Sequence, residues 1–169
     1  MTAPHLPFDP IDRAGEHWQE HFGEPSAMMV VTSIMRVQQL LLGALDNALK
    51  PHRITFARYE VLVLLTFSRS GFLPLSKIGE RLMVHPTSVT NAIDRLEAQG
   101  LVRRVPDSVD RRRVLAALTP KGKKVTQQAT QSLIDLSFGV TGLDETEMEL
   151  LYGLLRSLRA SAGDFPSQA

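Results

Sequence analysis

Pro86 constrains this chain more than any other residue. A proline disfavours helical geometry in the residue before it, so His85 must stand at a cap position and Pro86 must open a helix. With that start pinned, Val89, Ala92, Ile93 and Leu96 share one face and must be buried. The opposite face is then Thr87, Asn91 and Asp94, flanked by Ser88, Thr90 and Arg95. Short hydroxyls and an amide near a helix N-terminus reach phosphates and base edges without steric penalty. Asp94 has the wrong charge for that surface and is expected to pair with a neighbouring cation.

A polar face alone is only a solvated face, so its flanks decide. Upstream, Pro74-Leu75-Ser76 leads into a short helix with Ser76 as N-cap and Ile78 and Leu82 as core contacts. Downstream, Gly100 closes the Pro86 helix, and two β-prone runs, Leu101–Val105 and Val114–Leu118, flank the loop PDSVDRRR. The predicted fold class is mainly α with a small β-hairpin wing: a winged helix-turn-helix with N- and C-terminal dimerisation helices. An arginine triplet is ordinarily a solvated loop. On a hairpin that follows a helix-turn-helix, it is instead placed to enter the narrow, electronegative minor groove.

The rest of the chain is helical by pattern. After a loose arm over 1–8, Asp9-Pro10 starts a helix bearing Ile11, Ala14, Trp18 and Phe22, ended by Gly23. Trp18 is either a packing anchor or the wall of a ligand pocket. His17 and His21 have metal-ligand spacing but no third ligand, so no metal and no cofactor are expected. One long apolar helix is predicted from Pro25 to Lys50, stopped by Pro51. Thr55 is expected to cap FARYEVLVLLTFSR, whose run Val61–Phe67 should lie deep. Arg58, Tyr59 and Glu60 could face solvent, a ligand or DNA. Thr119-Pro120 opens a helix running through Leu133 to Gly139, and Leu143-Asp144-x-x-Glu147-Met148 is a capping box with a hydrophobic staple. These elements suggest N-terminal helices over 9–53 for dimerisation and a ligand-pocket wall, and a DNA-binding domain over 54–120. Dimerisation helices over 121–162 and a loose tail over 163–169 would follow.

Composition removes several function classes. Net charge is +1, yet between Arg103 and Lys124 eight Lys or Arg face two Asp, a local basic field in a neutral chain. The absence of cysteine excludes disulfides, thiolate zinc sites and thiol redox sensing. No apolar run suggests a membrane crossing and the N-terminus lacks signal-peptide character, so a cytoplasmic location is expected. No nucleophile–base motif or glycine-rich phosphate loop suggests an enzyme.

Taken in order, Leu75-Ser76-Lys77-Ile78-Gly79-Glu80-Arg81-Leu82, Thr87-Ser88-Val89-Thr90-Asn91 and Arg95-Leu96-Glu97 form a specific series. Gly100-Leu101-Val102-Arg103-Arg104, Asp110-Arg111-Arg112-Arg113 and Leu118-Thr119-Pro120-Lys121-Gly122 complete it. The series resembles the MarR family of bacterial transcriptional regulators over roughly residues 27–158. The resemblance implies a homodimer joined by its terminal helices, palindromic operator DNA, and release by a small anionic or aromatic effector held between dimerisation and DNA-binding parts. It implies that Thr87, Ser88, Thr90 and Asn91 face DNA, with Arg111 and Arg112 reaching the groove and Asp110 bracing them. Ser76, Lys77, His85, Arg95 and Arg113 complete the candidate DNA-binding set. The N-terminal helix with Trp18 is similar to that of the urate-responsive branch. Glu60 stands near that branch's aspartate, however, and its recognition-helix arginine is absent, so urate is not carried over.

The expected function is a sequence-specific DNA-binding regulator, a repressor released by a small-molecule effector. The alternative is a winged-helix protein-interaction or assembly module without sequence-specific DNA binding. Trp18, Arg36, Arg58 and Tyr59 are the candidate effector residues, offering stacking and anion pairing.

Overall fold

The computed structural model describes residues 6–107, 110 and 113–166. Its helices are α1 (Pro10–Phe22), α2 (Ser26–Leu49), α3 (Phe56–Thr66), α4 (Leu75–Leu82), α5 (Pro86–Ala98), α6 (Pro120–Asp135) and α7 (Glu145–Ser161). Its strands are β1 (Phe72–Pro74), β2 (Val102–Pro106) and β3 (Val114–Leu118), and short 3-10 turns follow α2 and α6.

Three helices start where an oxygen or nitrogen acceptor precedes a proline. Asp9 Oδ1 accepts from the Ile11 amide at 2.8 Å, His85 Nδ1 from the Thr87 amide at 3.2 Å, and Thr119 Oγ1 from the Gly122 amide at 2.9 Å. Each satisfies an amide that the first helical turn leaves without a partner. The capping box at α7 forms as expected, with Asp144 and Glu147 exchanging side-chain and backbone bonds.

Elsewhere the structure corrects the sequence reading. Thr55 makes no side-chain cap; Asp46, on α2, reaches across and accepts from the Phe56 amide at 2.7 Å. Ser76 is not a cap either, because α4 already begins at Leu75 after Pro74. Pro51 does not stop the chain's helical path at once: it sits inside a 3-10 turn over Lys50–His52, and the reversal comes at Arg53, with φ of 60°. Phe67 lies past the end of α3 and is 74% exposed rather than deep. The helix expected to run to Gly139 ends at Asp135, and Phe138, with φ of 50°, breaks its continuation.

The strand order is β1-β3-β2, antiparallel throughout, with Leu73 opposite Ala116 and Arg104 opposite Ala116 on the other side. The hairpin expected from sequence is therefore a three-stranded sheet whose third strand is Phe72–Pro74. Beneath it lies one core. Leu49 of α2, Leu62 and Leu65 of α3, Ile78 of α4, Ile93 and Leu96 of α5, Leu101 just before β2, and Leu133 of α6 are all fully buried. Burying each such side chain contributes about 1.5–3 kcal/mol, so helix-turn-helix, wing and α6 cohere as one body.

Two compact units emerge, Met1–Gly139 and Val140–Ala169. Within the first, α1 rests on α2 through Gly15, its one buried residue, where an added Cβ would lie 2.8 Å from Met29 Sδ. The helical stretch Ser26–His52 has a mean hydropathy of 1.5 and is, by length and composition, long and apolar enough to cross a membrane, contrary to the sequence expectation. Several of its apolar side chains are exposed: Val30, Val31, Met35 and Val37 are each at least half exposed. The second unit is α7 with its flanks, and no residue of that helix is buried.

Candidate nucleic-acid interface

Helix α5 turns its inner face to the core through Val89, Ile93 and Leu96, each at most 2% exposed. That burial fixes its rotation, and every candidate on the outer face emerges exposed: Thr87, Ser88, Thr90, Asn91 and Arg95. Thr90 Oγ1 donates back to the Pro86 carbonyl at 3.1 Å, which holds its rotamer and leaves the oxygen's lone pairs outward. His85, exposed at the N-cap, spends Nδ1 on the helix. Ser76 and Lys77 are exposed on the first turn of α4, and Lys77 Nζ pairs with Glu80 Oε2 at 2.6 Å. The turn between α4 and α5 is tight because Met83 adopts φ of 53°.

The expectation for Asp94 is met from the wing. Arg104, on β2, donates from Nη2 to Asp94 Oδ1 and from Nη1 to Glu97 Oε2. Its backbone amide also donates to Glu97 Oε1 at 2.9 Å. These bonds hold the Glu97 carboxyl below the usual carboxylate range, the Arg104 backbone amide contributing most. The Arg104 guanidinium is raised in turn, chiefly by Asp94. Sequence reasoning omitted Arg104 from the site. The signal was present as carboxylates three residues apart on one helix, followed after Gly100 by an arginine on the adjoining strand.

At the wing tip, the Arg113 amide donates to the Asp110 carbonyl at 2.9 Å. Arg113 Nε lies 3.7 Å from Asp107 Oδ2, and Asp107 Oδ1 accepts from the Asp110 amide at 3.3 Å. Arg111 and Arg112 lie outside the described residues, so their expected groove-reaching roles, and the bracing of that pair expected of Asp110, fall outside them too.

The four candidate effector residues do not converge within the chain. Arg36 lines a cavity of about 360 Å³ with Phe8, Ile11 and Leu40 at the start of α1. Tyr59 lines another, of about 620 Å³, between α3 and α6, with Val63, Thr66, Lys123 and Thr126. Trp18 packs on Phe22 with ring centroids 5.0 Å apart, and Arg58 is half-buried; neither lines those cavities. Tyr59 itself is 6% exposed and its hydroxyl meets Thr130 Oγ1 at 3.0 Å. The α3–α6 cavity was missed because its second wall lies some sixty residues further along.

A model of the MarR family matches residues 56–114. Among solved structures, the chain is 53% identical to Sco5413, a MarR family transcriptional regulator from Streptomyces coelicolor, with a TM-score of 0.76 over 84% of this chain and 99% of that one. A mutant MarR from E. coli complexed with operator DNA is 26% identical, with a TM-score of 0.71 over 79% and 96% of the two chains. CouR from Rhodococcus jostii bound to p-coumaroyl-CoA is also 26% identical, with a TM-score of 0.68 over 83% and 94%.

Proposed function

The chain belongs to the MarR family of DNA-binding transcriptional regulators, which are not enzymes, and from that premise we propose that it is a homodimeric repressor released from a palindromic operator by a small effector. The observation that carries the reading is the outer face of α5. Its small hydroxyls and amide are all exposed, and the core contacts behind them leave the helix no other rotation. In this reading Thr87, Ser88, Thr90 and Asn91 enter the major groove. His85, Ser76, Lys77 and Arg95 lie along the phosphates, and Arg111, Arg112 and Arg113 extend to the minor groove with Asp110.

Dimerisation is supported by unpartnered apolar surface. Val30, Val31, Met35 and Val37 on α2 are exposed, and so, on α7, are Leu150, Tyr152, Leu154 and Leu158. Large apolar side chains left in water along a helix mark an interaction surface, and a second copy would cover them. Two copies also present two recognition helices one DNA turn apart. The effector site is the α3–α6 cavity: an apolar floor, a rim of hydroxyls and Lys123 suit an organic anion, as the ligand of CouR suggests.

The test is binding to the DNA upstream of the protein's own coding region, across salt concentrations, for wild type, Asn91→Ala and Arg112→Ala. Sequence-preferring binding by the wild type is expected. Asn91→Ala should relax the preference, and Arg112→Ala should weaken binding and reduce the salt dependence. Wild-type binding without sequence preference would refute the proposal.

A further inference from the structure

Thr87, Asn91 and Asp94 occupy one stripe of α5, at spacings of four and three residues, so the carboxylate of Asp94 stands beside the polar groups offered to DNA. Its side chain is 54% exposed. A bare anion there would face the phosphate backbone, whose repulsion sequence-independent cations must then overcome. The structure answers this with one residue. The guanidinium of Arg104 closes on Asp94 and Glu97 together, while its own amide binds Glu97. It is 31% exposed in its side chain, and both ends of its fork are engaged by carboxylates. Because Arg104 belongs to β2, the strand leading into the wing, the same contacts also tie the recognition helix to the wing.

From this geometry, and resting on the DNA-binding reading above, we infer that Arg104 is a positioning residue for operator recognition: it cancels the charge of Asp94 on the DNA-facing stripe and fixes α5 against the wing, without itself contacting phosphate. Lysine cannot replace it fully, since a single ammonium does not span two carboxylates as a planar fork does.

The experiment is a double-mutant cycle on operator affinity, salt dependence and thermal stability, using Arg104→Gln, Asp94→Asn and the double variant, with Arg104→Lys as a conservative change. Arg104→Gln should weaken operator binding by about tenfold or more, because it exposes an unpaired carboxylate to like charge. Asp94→Asn alone, whose amide oxygen can still accept from Arg104 Nη2, should lose no more than about threefold in affinity. The double variant should bind more tightly than Arg104→Gln, recovering the part of the loss due to the Asp94 charge while Glu97 stays without its guanidinium partner. Arg104→Lys should fall between wild type and Arg104→Gln. If the double variant stays as weak as Arg104→Gln with a salt slope reduced by about one phosphate contact, Arg104 is itself a DNA ligand and the inference is overturned. Affinity unchanged in Arg104→Gln also overturns it. So does an affinity loss in the double variant that merely tracks its melting temperature, which marks Arg104 as structural. Should Arg104→Gln fail to fold, the comparison of Arg104→Lys with and without Asp94→Asn decides by the same rescue. Wild type lacking any operator preference would instead sink the DNA-binding reading on which all of this rests.

Discussion

Gly122 sits in the first turn of α6, where ordinary helix propensity favours alanine over glycine by about 1 kcal/mol. The structure reverses that sign. A Cβ on Gly122 would lie 2.0 Å from the Leu101 carbonyl oxygen, 2.9 Å from its carbon and 3.1 Å from Leu118 Cδ2. The first two are backbone atoms, so no rotamer relieves the overlap, and α6 would have to withdraw by about 1 Å to reach even a tight contact. The bonds at risk are the Thr119 amide to the Leu101 carbonyl at 3.1 Å, Thr119 Oγ1 to the Gly100 carbonyl at 2.7 Å, and the Gly122 amide to Thr119 Oγ1 at 2.9 Å. At about 1 kcal/mol each, their partial loss and the overlap outweigh the propensity gain, and Gly122→Ala should destabilise the fold by about 2–4 kcal/mol. Gly153→Ala is the internal control: it lies within α7, no described atom of its own chain approaches its Cβ position within 4 Å, and alanine there should stabilise the helix itself by up to about 1 kcal/mol. Urea unfolding at one fixed protein concentration would measure both. A midpoint for Gly122→Ala equal to or above wild type would refute the reasoning.

Two other consequences concern α3. Asp46→Ala removes the acceptor for the Phe56 amide and should cost about 1 kcal/mol, whereas Asp46→Asn keeps an acceptor and should cost less; denaturation midpoints that rank them the other way would contradict the capping role. Burial raises the Glu60 carboxyl above its ordinary value. The folded state therefore holds the proton more tightly than the unfolded one, and stability falls as pH rises through the window from the unfolded to the folded value. Glu60→Gln should raise the melting temperature at neutral pH and lose that advantage below pH ~4, and an advantage independent of pH would rule out desolvation as the cause.

What the sequence disclosed was set by how local each signal is. Pro10, Pro86 and Pro120, each behind a capping side chain, announce helix starts within three residues, and the structure places α1, α5 and α6 there. Once Pro86 set the register of α5, its outer face followed from Val89, Ile93 and Leu96 alone. The misses needed partners distant in the chain. Phe72–Pro74 is too short and too proline-bound to announce a strand, and becomes one only against Leu115–Ala117. The cap of α3 comes from Asp46 on the preceding helix rather than from the adjacent Thr55. Tyr59 is held by Thr130, seventy-one positions on, so no local pattern could tell burial from a ligand-facing role. The grouping of Trp18, Arg36, Arg58 and Tyr59 rested on proximity, which pattern cannot supply.

The bond from the Arg104 amide to Glu97 has a second effect, on solubility. A three-stranded sheet has two open borders, each able to template a strand from a neighbouring molecule. On one border stands β1, three residues long and ending in Pro74, which has no amide hydrogen. On the other, successive amides of β2 point alternately toward and away from β3, so Val102 and Pro106 share the outward side with Arg104. Glu97 occupies the one at Arg104, Val102 is 2% exposed, and Pro106 has none to give. Among the described residues, neither border offers a run of free donors. Strand pairing with the sheet of a neighbouring molecule is thereby disfavoured at both borders.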